Sequence, residues 1–258
     1  MAFQTINFAH LAKFNSSDSS KLIEILDTGW KSKISAQASS PRHRTFAPSS
    51  YRCKRKCWFR LRGTQPSLVS KPDTSLDFSA EVGTACHKMI QTILKDSLGD
   101  DWLDVGEYLN SKFTCDGYQT ESSDDGLETK ISIVDPPVTF ACDGLIRIDG
   151  KLYLLEIKTS EFTSFRDLTD VKPVHVDQIR CYSSLLGVPD VLVLYMDRQH
   201  GDVKCYQLRF TESEMASVIK DMKTIKHLAD TNIPPDKLPT GDFWCQSCEY
   251  KKQCKEWG

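Results

Sequence analysis

The chain has 258 residues, a formal net charge of −2 at pH 7, and ordinary shares of hydrophobic (40%) and charged (26%) residues. This length suits one large domain, or a core with appendages, that buries a substantial interior. No apolar run approaches the ~20 residues that a transmembrane helix needs, so we expect no association with a membrane. The first ten residues lack the basic and apolar regions of an export signal. We therefore expect an intracellular protein, in the cytoplasm, or in the host cell if the source is a virus.

The N-terminal part of the sequence predicts little regular structure. Residues 1–50 are polar and rich in Ser, with one short apolar segment at Lys21–Leu26, which predicts an arm with a short helix. Within it, residues 35–50 predict a loop. The apolar residues of Ser79–Lys95 recur at helical spacing and predict a longer helix. The polar stretch Asp116–Glu128 predicts a surface loop.

The middle of the chain predicts a sheet. Segments rich in β-branched and aromatic residues predict strands at Lys130–Val134, Val138–Ile148 and Lys151–Lys158. Asp149-Gly150 favours a two-residue hairpin between the last two of them. The elements predicted after this hairpin are a helix at about Lys172–Leu186, strands at Val191–Met196 and Val203–Phe210, and a helix opened by the capping box Thr211–Glu214. This order predicts an α/β fold with helices around a mixed sheet.

Two carboxylates and a lysine lie at the predicted hairpin. Along a strand, Glu156 and Lys158 project to one face while Ile157 faces the other. Asp143 lies next to Glu156 if the turn sets the register. Converging carboxylates suit Mg²⁺ or Mn²⁺, and the Ile157 carbonyl can complete the ligand shell. The alternative is an ordinary edge strand, in which such spacings arise by chance.

Two predicted helices carry further polar side chains. His175, Gln178 and Tyr182 lie along one helical face by their spacing, which is more useful beside an active site than in a core. His87 follows Gly83 on an earlier helix. A single helical histidine is either structural or, if it reaches the two carboxylates, a third protein ligand of the metal.

Three cysteines near the C-terminus, Cys245, Cys248 and Cys254, are spaced C-x2-C-x5-C. They are one short of a four-sulfur site, either for zinc or for an iron–sulfur cluster. The fourth ligand must then come from a distant segment. Residues 41–63 contain eight Arg or Lys residues, four interleaved aromatics and no acidic residue. This composition suits phosphate contact and base stacking, or else a solvated basic face.

Together with Cys53, these motifs resemble the RecB-like branch of the PD-(D/E)XK nuclease superfamily, in the iron–sulfur class that includes the fourth CRISPR-associated protein, the AddB nuclease domain and exonuclease V. The resemblance covers roughly residues 50–254. It implies a restriction-endonuclease-like core, with a mixed central sheet flanked by helices and a cysteine-ligated cluster subdomain formed by N- and C-terminal segments. The implied organisation is a polar arm with a short helix at 1–50 and a nuclease domain at 51–258, in which 51–63 and 241–258 form an iron–sulfur clasp.

The resemblance also implies roles for individual residues, with Mg²⁺ or Mn²⁺ and a 4Fe-4S cluster as cofactors. The implied metal ligands are His87, Asp143, Glu156 and the Ile157 carbonyl; the catalytic residues are Asp143, Glu156, Lys158, Gln178 and Tyr182; the cluster ligands are Cys53, Cys245, Cys248 and Cys254; and the DNA-binding residues are Arg52, Lys54, Arg55 and Arg60. Cys57 competes with Cys53, which fits the family pattern better. The chain departs from that pattern in having Cys142 where a proline is common before the aspartate, and Phe140-Ala141 where a glycine is usual.

The implied function is a metal-dependent DNA exonuclease that prefers single strands and degrades them from 5′ to 3′. Its expected partners are DNA, single-stranded or with free ends, and a helicase or a CRISPR, repair or replication protein. The phosphate-loop pattern G-x4-G-K-[ST] does not occur in the sequence, so unwinding driven by ATP would need such a partner. Two alternatives stay open: a catalytically weak or inactive DNA-binding or assembly module of the same fold, and a nuclease stabilised by zinc.

Overall fold

The computed structural model describes residues 17–38, 44–67, 73–112, 117–239 and 241–257. The chain divides into two compact units. One comprises Met1–Pro41 with Ser70–Glu81, and the other Arg42–Val69 with Val82–Gly258. Within the described residues, no helix combines the length and the apolar character that crossing a membrane requires.

The described helices and strands are numbered in chain order. The helices are α1 (Ser17–Ala38), α2 (Lys54–Leu61), α3 (Thr74–Leu98), α4 (Val105–Lys112), α5 (Phe162–Arg166), α6 (Pro173–Leu186), α7 (Glu212–Asp230) and α8 (Lys251–Glu256). The strands are β1 (Trp102–Leu103), β2 (Tyr118–Ser122), β3 (Thr129–Ile133), β4 (Val138–Cys142), β5 (Gly144–Ile148), β6 (Lys151–Ser160), β7 (Asp190–Asp197) and β8 (Val203–Arg209). Short 3-10 turns occur at Pro48–Ser50, Gly99–Asp101 and Phe243–Cys245.

The first unit contains α1 and the first two turns of α3. Trp30 Nε1 donates a hydrogen bond to Asp77 at 2.6 Å, and Lys33 pairs with Glu81 at 2.5 Å. Helix α1 is much longer than the predicted short helix and includes residues 35–38, which were predicted as loop. The segment contains no proline, and pairs four residues apart such as Lys31 with Asp27 support the added turns. The rest of the predicted arm at 1–16 and 39–43 lies outside the described residues.

The larger unit contains a five-stranded mixed sheet in the order β1-β5-β6-β7-β8. Strands β6 and β7 are parallel, and the other neighbouring pairs are antiparallel. Asp149 and Gly150 form the β5–β6 turn with φ of 49° and 77°, as a two-residue hairpin with positive φ at both positions requires. The predicted mixed sheet and hairpin are therefore confirmed.

A second, antiparallel sheet of order β2-β3-β4 corrects two predictions. The single strand predicted at Val138–Ile148 is two strands, because β4 pairs with β3 whereas β5 pairs with β6. Asp143 lies at the change of partner. Part of the predicted loop at 116–128 is strand β2, which pairs with β3. The side chains of β2 are almost all exposed, so its sequence has none of the alternation that marks a strand.

Helices cover both faces of the five-stranded sheet. On one face, Ile90 of α3 packs with Ile157 and Leu155 of β6. The other face packs against α6 and α7, and its core residues include Leu154, Val191, Val193, Ile179, Leu186, Val218 and Met222. The predicted capping box at the start of α7 is confirmed, with the Thr211 and Glu214 side chains each accepting a bond from the other's backbone. This layered arrangement leaves the polar ends of β5 and β6 between helices α3 and α6.

Candidate active site and cysteine cavity

The β5–β6 hairpin places the two predicted carboxylates opposite each other. Gly144 pairs with Leu155 in the antiparallel register, so the next position along brings Asp143 opposite Glu156. Both side chains are buried, with 7% and 3% of their surface exposed. Residues directly opposite in such a ladder project to the same face. The predicted convergence of Asp143 and Glu156 is present.

Hydrogen bonds fix the position of Asp143. Its Oδ2 accepts a bond from the backbone N–H of Ile157 at 2.8 Å. Its backbone carbonyl accepts a bond from Gln91 Nε2 at 2.8 Å, and the same amide donates to the Leu127 carbonyl at 3.1 Å. Gln91 is a buried α3 residue that ties the helix to the junction between the two sheets. Asp143 is thus held from two sides.

Negative charge accumulates at this point. Burial and, after it, the neighbouring Asp143 charge raise the pKa of the Glu156 carboxyl to about 7, although Lys158 and His87 act in the opposite direction. Two neighbouring buried carboxylates repel each other when both are ionised. A bound cation relieves this repulsion, so the site favours cation binding. The donor set of carboxylates and a backbone carbonyl fits the hard divalent ions Mg²⁺ and Mn²⁺.

His87 approaches the same carboxylates from helix α3. Its Nδ1 lies 3.6 Å from Asp143 Oδ1. Burial lowers the pKa of His87, but the hydrogen bond and charge of Asp143, together with the charge of Glu156, leave the pKa raised. The helix comes close because Gly83 has no side chain: a Cβ there would lie 3.1 Å from Thr159 Oγ1 of β6. The described residues nevertheless include no group of three or more His, Cys, Asp or Glu side chains arranged as a metal site.

A chain of polar contacts runs from the carboxylates to helix α6. Lys158 Nζ lies 2.5 Å from Glu156 Oε1 and donates a hydrogen bond to Gln178 Oε1 at 3.1 Å. Gln178 Nε2 donates in turn to the Tyr182 hydroxyl at 2.6 Å. The Tyr182 ring stacks on Phe140 of β4, with centroids 5.0 Å apart. The four predicted residues Glu156, Lys158, Gln178 and Tyr182 therefore form one connected row.

His175, the third residue of the predicted polar face, has a different partner. Its Nδ1 lies 2.7 Å from the Tyr195 hydroxyl, which also accepts a bond from the Lys172 N–H at 3.2 Å. Burial, together with the charges of Lys158 and Lys172, lowers the pKa of His175 to about 4. The imidazole is therefore neutral at pH 7 and supports the β7 side of the site.

Glu128 is a third acidic residue that the sequence did not single out. Thr129 pairs with Cys142 in the β3–β4 ladder, so one step further Glu128 stands opposite Asp143. Burial and the Asp143 charge raise the pKa of the Glu128 carboxyl. The pairing register is what indicates this residue, because Glu128 is the last residue of the segment that the sequence predicts as a surface loop.

The four predicted cluster cysteines line one cavity of about 380 Å³. Cys53 immediately precedes α2, Cys245 ends the 3-10 turn, and Cys254 lies on α8. Burial raises the pKa of the Cys53 thiol, and the other three cysteines raise it further. Cys57, the competing candidate, is fully buried, donates a hydrogen bond to the Ser50 carbonyl at 3.4 Å, and does not line this cavity. The geometry thus favours Cys53 over Cys57.

Contacts without any metal also join the two segments around this cavity. The Phe59 and Tyr250 rings stack with centroids 5.2 Å apart, and Trp58 meets Trp257 edge-on at the same distance. Arg62 lies over Trp58 at 4.5 Å from the ring centroid. Backbone and side-chain hydrogen bonds from Ser67 to the Glu249 carbonyl add to them. Residues 51–63 and 241–257, which the sequence predicts to form a clasp, therefore meet in a packed aromatic contact.

The predicted DNA-binding residues are mostly engaged within the protein. Arg55 has 6% of its surface exposed, and its Nε donates to the Pro235 carbonyl at 2.7 Å. Lys54 pairs with Asp221 at 2.7 Å, and Arg52 lies 3.6 Å from Asp177. The Nε of Arg60 is buried and has no hydrogen-bond partner among the residues that the structure describes. A phosphate contact by Arg55 does not fit this burial, because its guanidinium supports the fold instead.

No family model and no curated protein matches the chain. Among solved structures it is similar to the crystal structure of SSO0001, at 16% identity and a TM-score of 0.49, over 88% of this chain and 94% of that one. It is also similar to an alkaline exonuclease, LHK-Exo from Laribacter hongkongensis, at 12% identity and a TM-score of 0.38, over 76% and 93% of the two chains. The LHK-Exo complex with dAMP matches at 14% identity and a TM-score of 0.38, over 69% and 78%. These similarities are too weak to assign a family or an activity to the chain.

Proposed function

We propose that this chain is a metal-dependent DNA nuclease, an exonuclease that prefers single strands and works from the 5′ end. The observation that carries the proposal is the buried pair Asp143 and Glu156, with Lys158 on the same strand face and hydrogen-bonded to Gln178. Buried carboxylates are costly unless they are paired, hydrogen-bonded or bound to a metal, and perturbed groups of this kind cluster at functional sites. The strand preference and polarity rest on the resemblance described above.

Asp143 and Glu156 would hold a Mg²⁺ or Mn²⁺ ion, with His87 and the Ile157 carbonyl as further donors. Such an ion, when bound, polarises a phosphoryl oxygen and lowers the pKa of a bound water. The hydrogen bond from the Ile157 N–H keeps one Asp143 oxygen in place and leaves the other oriented toward His87. The short distance between His87 and Asp143 supports their acting on the same ligand.

Lys158 would orient the attacking water and offset the negative charge that develops on the phosphorus centre. Its ammonium is held by Glu156 and by the Gln178 carbonyl oxygen, so its position is set before substrate arrives. Preorganised charge of this kind is worth more in a buried site than in water. Gln178 and Tyr182 act as positioning residues, because they reach the reaction only through Lys158.

The cysteine cavity would hold a 4Fe-4S cluster. Four cysteines are the usual ligands of such a cluster. A cluster of four irons is larger than a single metal ion, so its ligands lie further apart than those of one ion. A zinc ion is the alternative occupant. Anaerobic purification followed by a visible spectrum and metal analysis separates the two: a colourless protein with stoichiometric zinc would refute the cluster.

Cleavage of end-labelled DNA tests the nuclease proposal. Single- and double-stranded oligonucleotides, with free or blocked ends, are incubated with Mg²⁺ or Mn²⁺. We expect loss of single strands with free 5′ ends, and a rate about 10²- to 10⁴-fold lower for Lys158→Ala. The exposed Lys130→Ala is a matched control that should cleave at the wild-type rate. Equal cleavage by Lys158→Ala and wild type would rule out this active site, and strand binding without cleavage would indicate an inactive binding module.

A further inference from the structure

Two exposed aromatic rings lie on adjacent residues at the rim of the cysteine cavity, and of the two Trp244 lines the cavity itself. Phe243 is 75% exposed and Trp244 is 38% exposed, on the 3-10 turn that leads into Cys245. The Asp242 side chain accepts a hydrogen bond from the Trp244 N–H at 2.9 Å, so the turn is held by its own cap. Because the backbone of this turn is already ordered, a ligand that stacks on the two rings loses little conformational entropy of the protein on binding.

The same rim has an excess of positive charge. Lys237, Lys251 and Lys255 line the cavity, are exposed, and have no carboxylate partner in the part of the chain that the structure describes. Asp242 is the one acidic residue that lines this cavity among the described residues, and its carboxylate already faces Arg52 at 4.0 Å. An anionic ligand therefore fits the rim.

We propose that Phe243 and Trp244, with Lys237, Lys251 and Lys255, form a binding surface for single-stranded DNA. Aromatic rings that stack unpaired bases next to lysines that contact phosphates are the combination that single-strand binders use. The bases of a duplex are stacked inside the helix. Duplex DNA can therefore bind the lysines through its phosphates but cannot stack its bases on the two rings. The surface replaces the engaged residues Lys54 and Arg55 as the main DNA contact.

This inference rests on the proposed function, since it names the strand class that the nuclease would accept. Binding is measured without divalent cations, so it does not depend on cleavage. A protein that binds strands through this surface but never cleaves them would refute the nuclease proposal alone. A protein that cleaves normally after the surface is removed would refute the present inference alone.

The test uses fluorescence anisotropy of the full chain with a labelled oligothymidylate of about 20 nucleotides. We expect Phe243→Ala and Trp244→Ala each to lower the affinity about fivefold or more, as loss of base stacking does elsewhere. An abasic oligonucleotide of the same length has no bases to stack, so both variants should bind it as wild type does. Val203→Ala, an exposed apolar side chain outside this surface, serves as the control.

The lysines are tested by the salt dependence of binding. Replacing Lys237, Lys251 and Lys255 together by Ala should reduce the slope of log affinity against log salt by about 2, at roughly 0.7 per phosphate contact of a single strand. Lys223→Ala, an exposed lysine on α7, should leave the slope unchanged. Melting curves check that each variant folds.

Three outcomes would overturn the proposal. The ring variants would bind oligothymidylate as tightly as wild type, or they would lose affinity for the abasic strand equally. Alternatively, the triple lysine variant would lose bound metal and keep its affinity for single strands. That result would mean that the three lysines stabilise the metal in the cavity and do not bind DNA.

Discussion

The carboxylate site and the cysteine cavity are built in opposite ways. Asp143 and Glu156 lie on adjacent strands of one hairpin, so the backbone ladder sets their distance. Cys53 and Cys254 are some 200 positions apart in the chain and meet through side-chain contacts between short elements. A backbone ladder tolerates the loss of one side chain, because its hydrogen bonds do not depend on that side chain. Two segments that are joined by side-chain contacts lose some of those contacts with each substitution, and the structure there becomes less stable.

This difference predicts that substitutions at the carboxylate site reduce cleavage, whereas substitutions at the cysteine cavity reduce stability. Glu156→Gln should have the largest effect on cleavage, a loss of about 10²-fold or more, because the neutral amide is a poorer metal ligand. The hairpin and the rim should be unaffected, so the melting temperature and the affinity for single strands should remain close to wild type. Cleavage assays, melting curves and anisotropy on the same preparation measure all three. A variant that loses strand affinity in parallel with cleavage would break the comparison.

Cys254→Ala should show the reverse pattern. We expect the unfolding free energy to fall by about 2 kcal/mol, within the usual range of single-site effects, and strand binding to weaken. The rate of cleavage of bound strand should stay near wild type. Chemical denaturation, anisotropy and single-turnover cleavage measure these quantities. Cys205→Ala, an exposed free cysteine on β8, is the control. If the protein binds the proposed cluster and loses it in this variant with unchanged folding, the result would contradict a structural role for the cluster.

Gln91→Ala should affect both properties moderately. The change leaves the buried carbonyls of Asp143 and Leu127 without their donor, at about 1–3 kcal/mol for each unsatisfied group. Because one of those carbonyls belongs to Asp143, cleavage should fall several-fold as well. Denaturation and cleavage assays with the exposed Gln119→Ala as control check this. Wild-type cleavage in a destabilised variant would show that Asp143 is held by the Ile157 N–H alone.

The smallest expected effect is a pH dependence from His175. Its folded pKa of about 4 lies below the ordinary 6.5, so between these values the unfolded chain binds the proton more strongly. Stability from this group is therefore complete above pH 6.5 and is lost as the pH falls toward 4. His175→Gln should flatten this part of the profile in urea unfolding from pH 7 to pH 4.5. An identical slope in the variant would assign the dependence to other groups.

Within the site, sequence patterns predicted the local relations well. The Asp149-Gly150 turn sets a register in which Asp143 meets Glu156, and the four-residue spacing of Gln178 and Tyr182 places them in hydrogen-bond contact. Both follow from the fixed periodicity of strands and helices. Glu128 and Gln91 were missed because they reach the site through pairings that their neighbours in sequence do not reveal.

By itself, the amino-acid sequence determined the hairpin, the polar face of α6 and the alternation that separates Glu156 and Lys158 from Ile157. Only the tertiary structure decided that the predicted long strand divides at Asp143 between two sheets, that Arg55 is buried against Pro235, and that Cys53 rather than Cys57 lines the cavity. Periodicity specifies the direction in which a side chain points. Whether it meets solvent, a carbonyl or a distant cysteine depends on which elements pack against it, and that is settled by the whole chain burying its apolar surface at once.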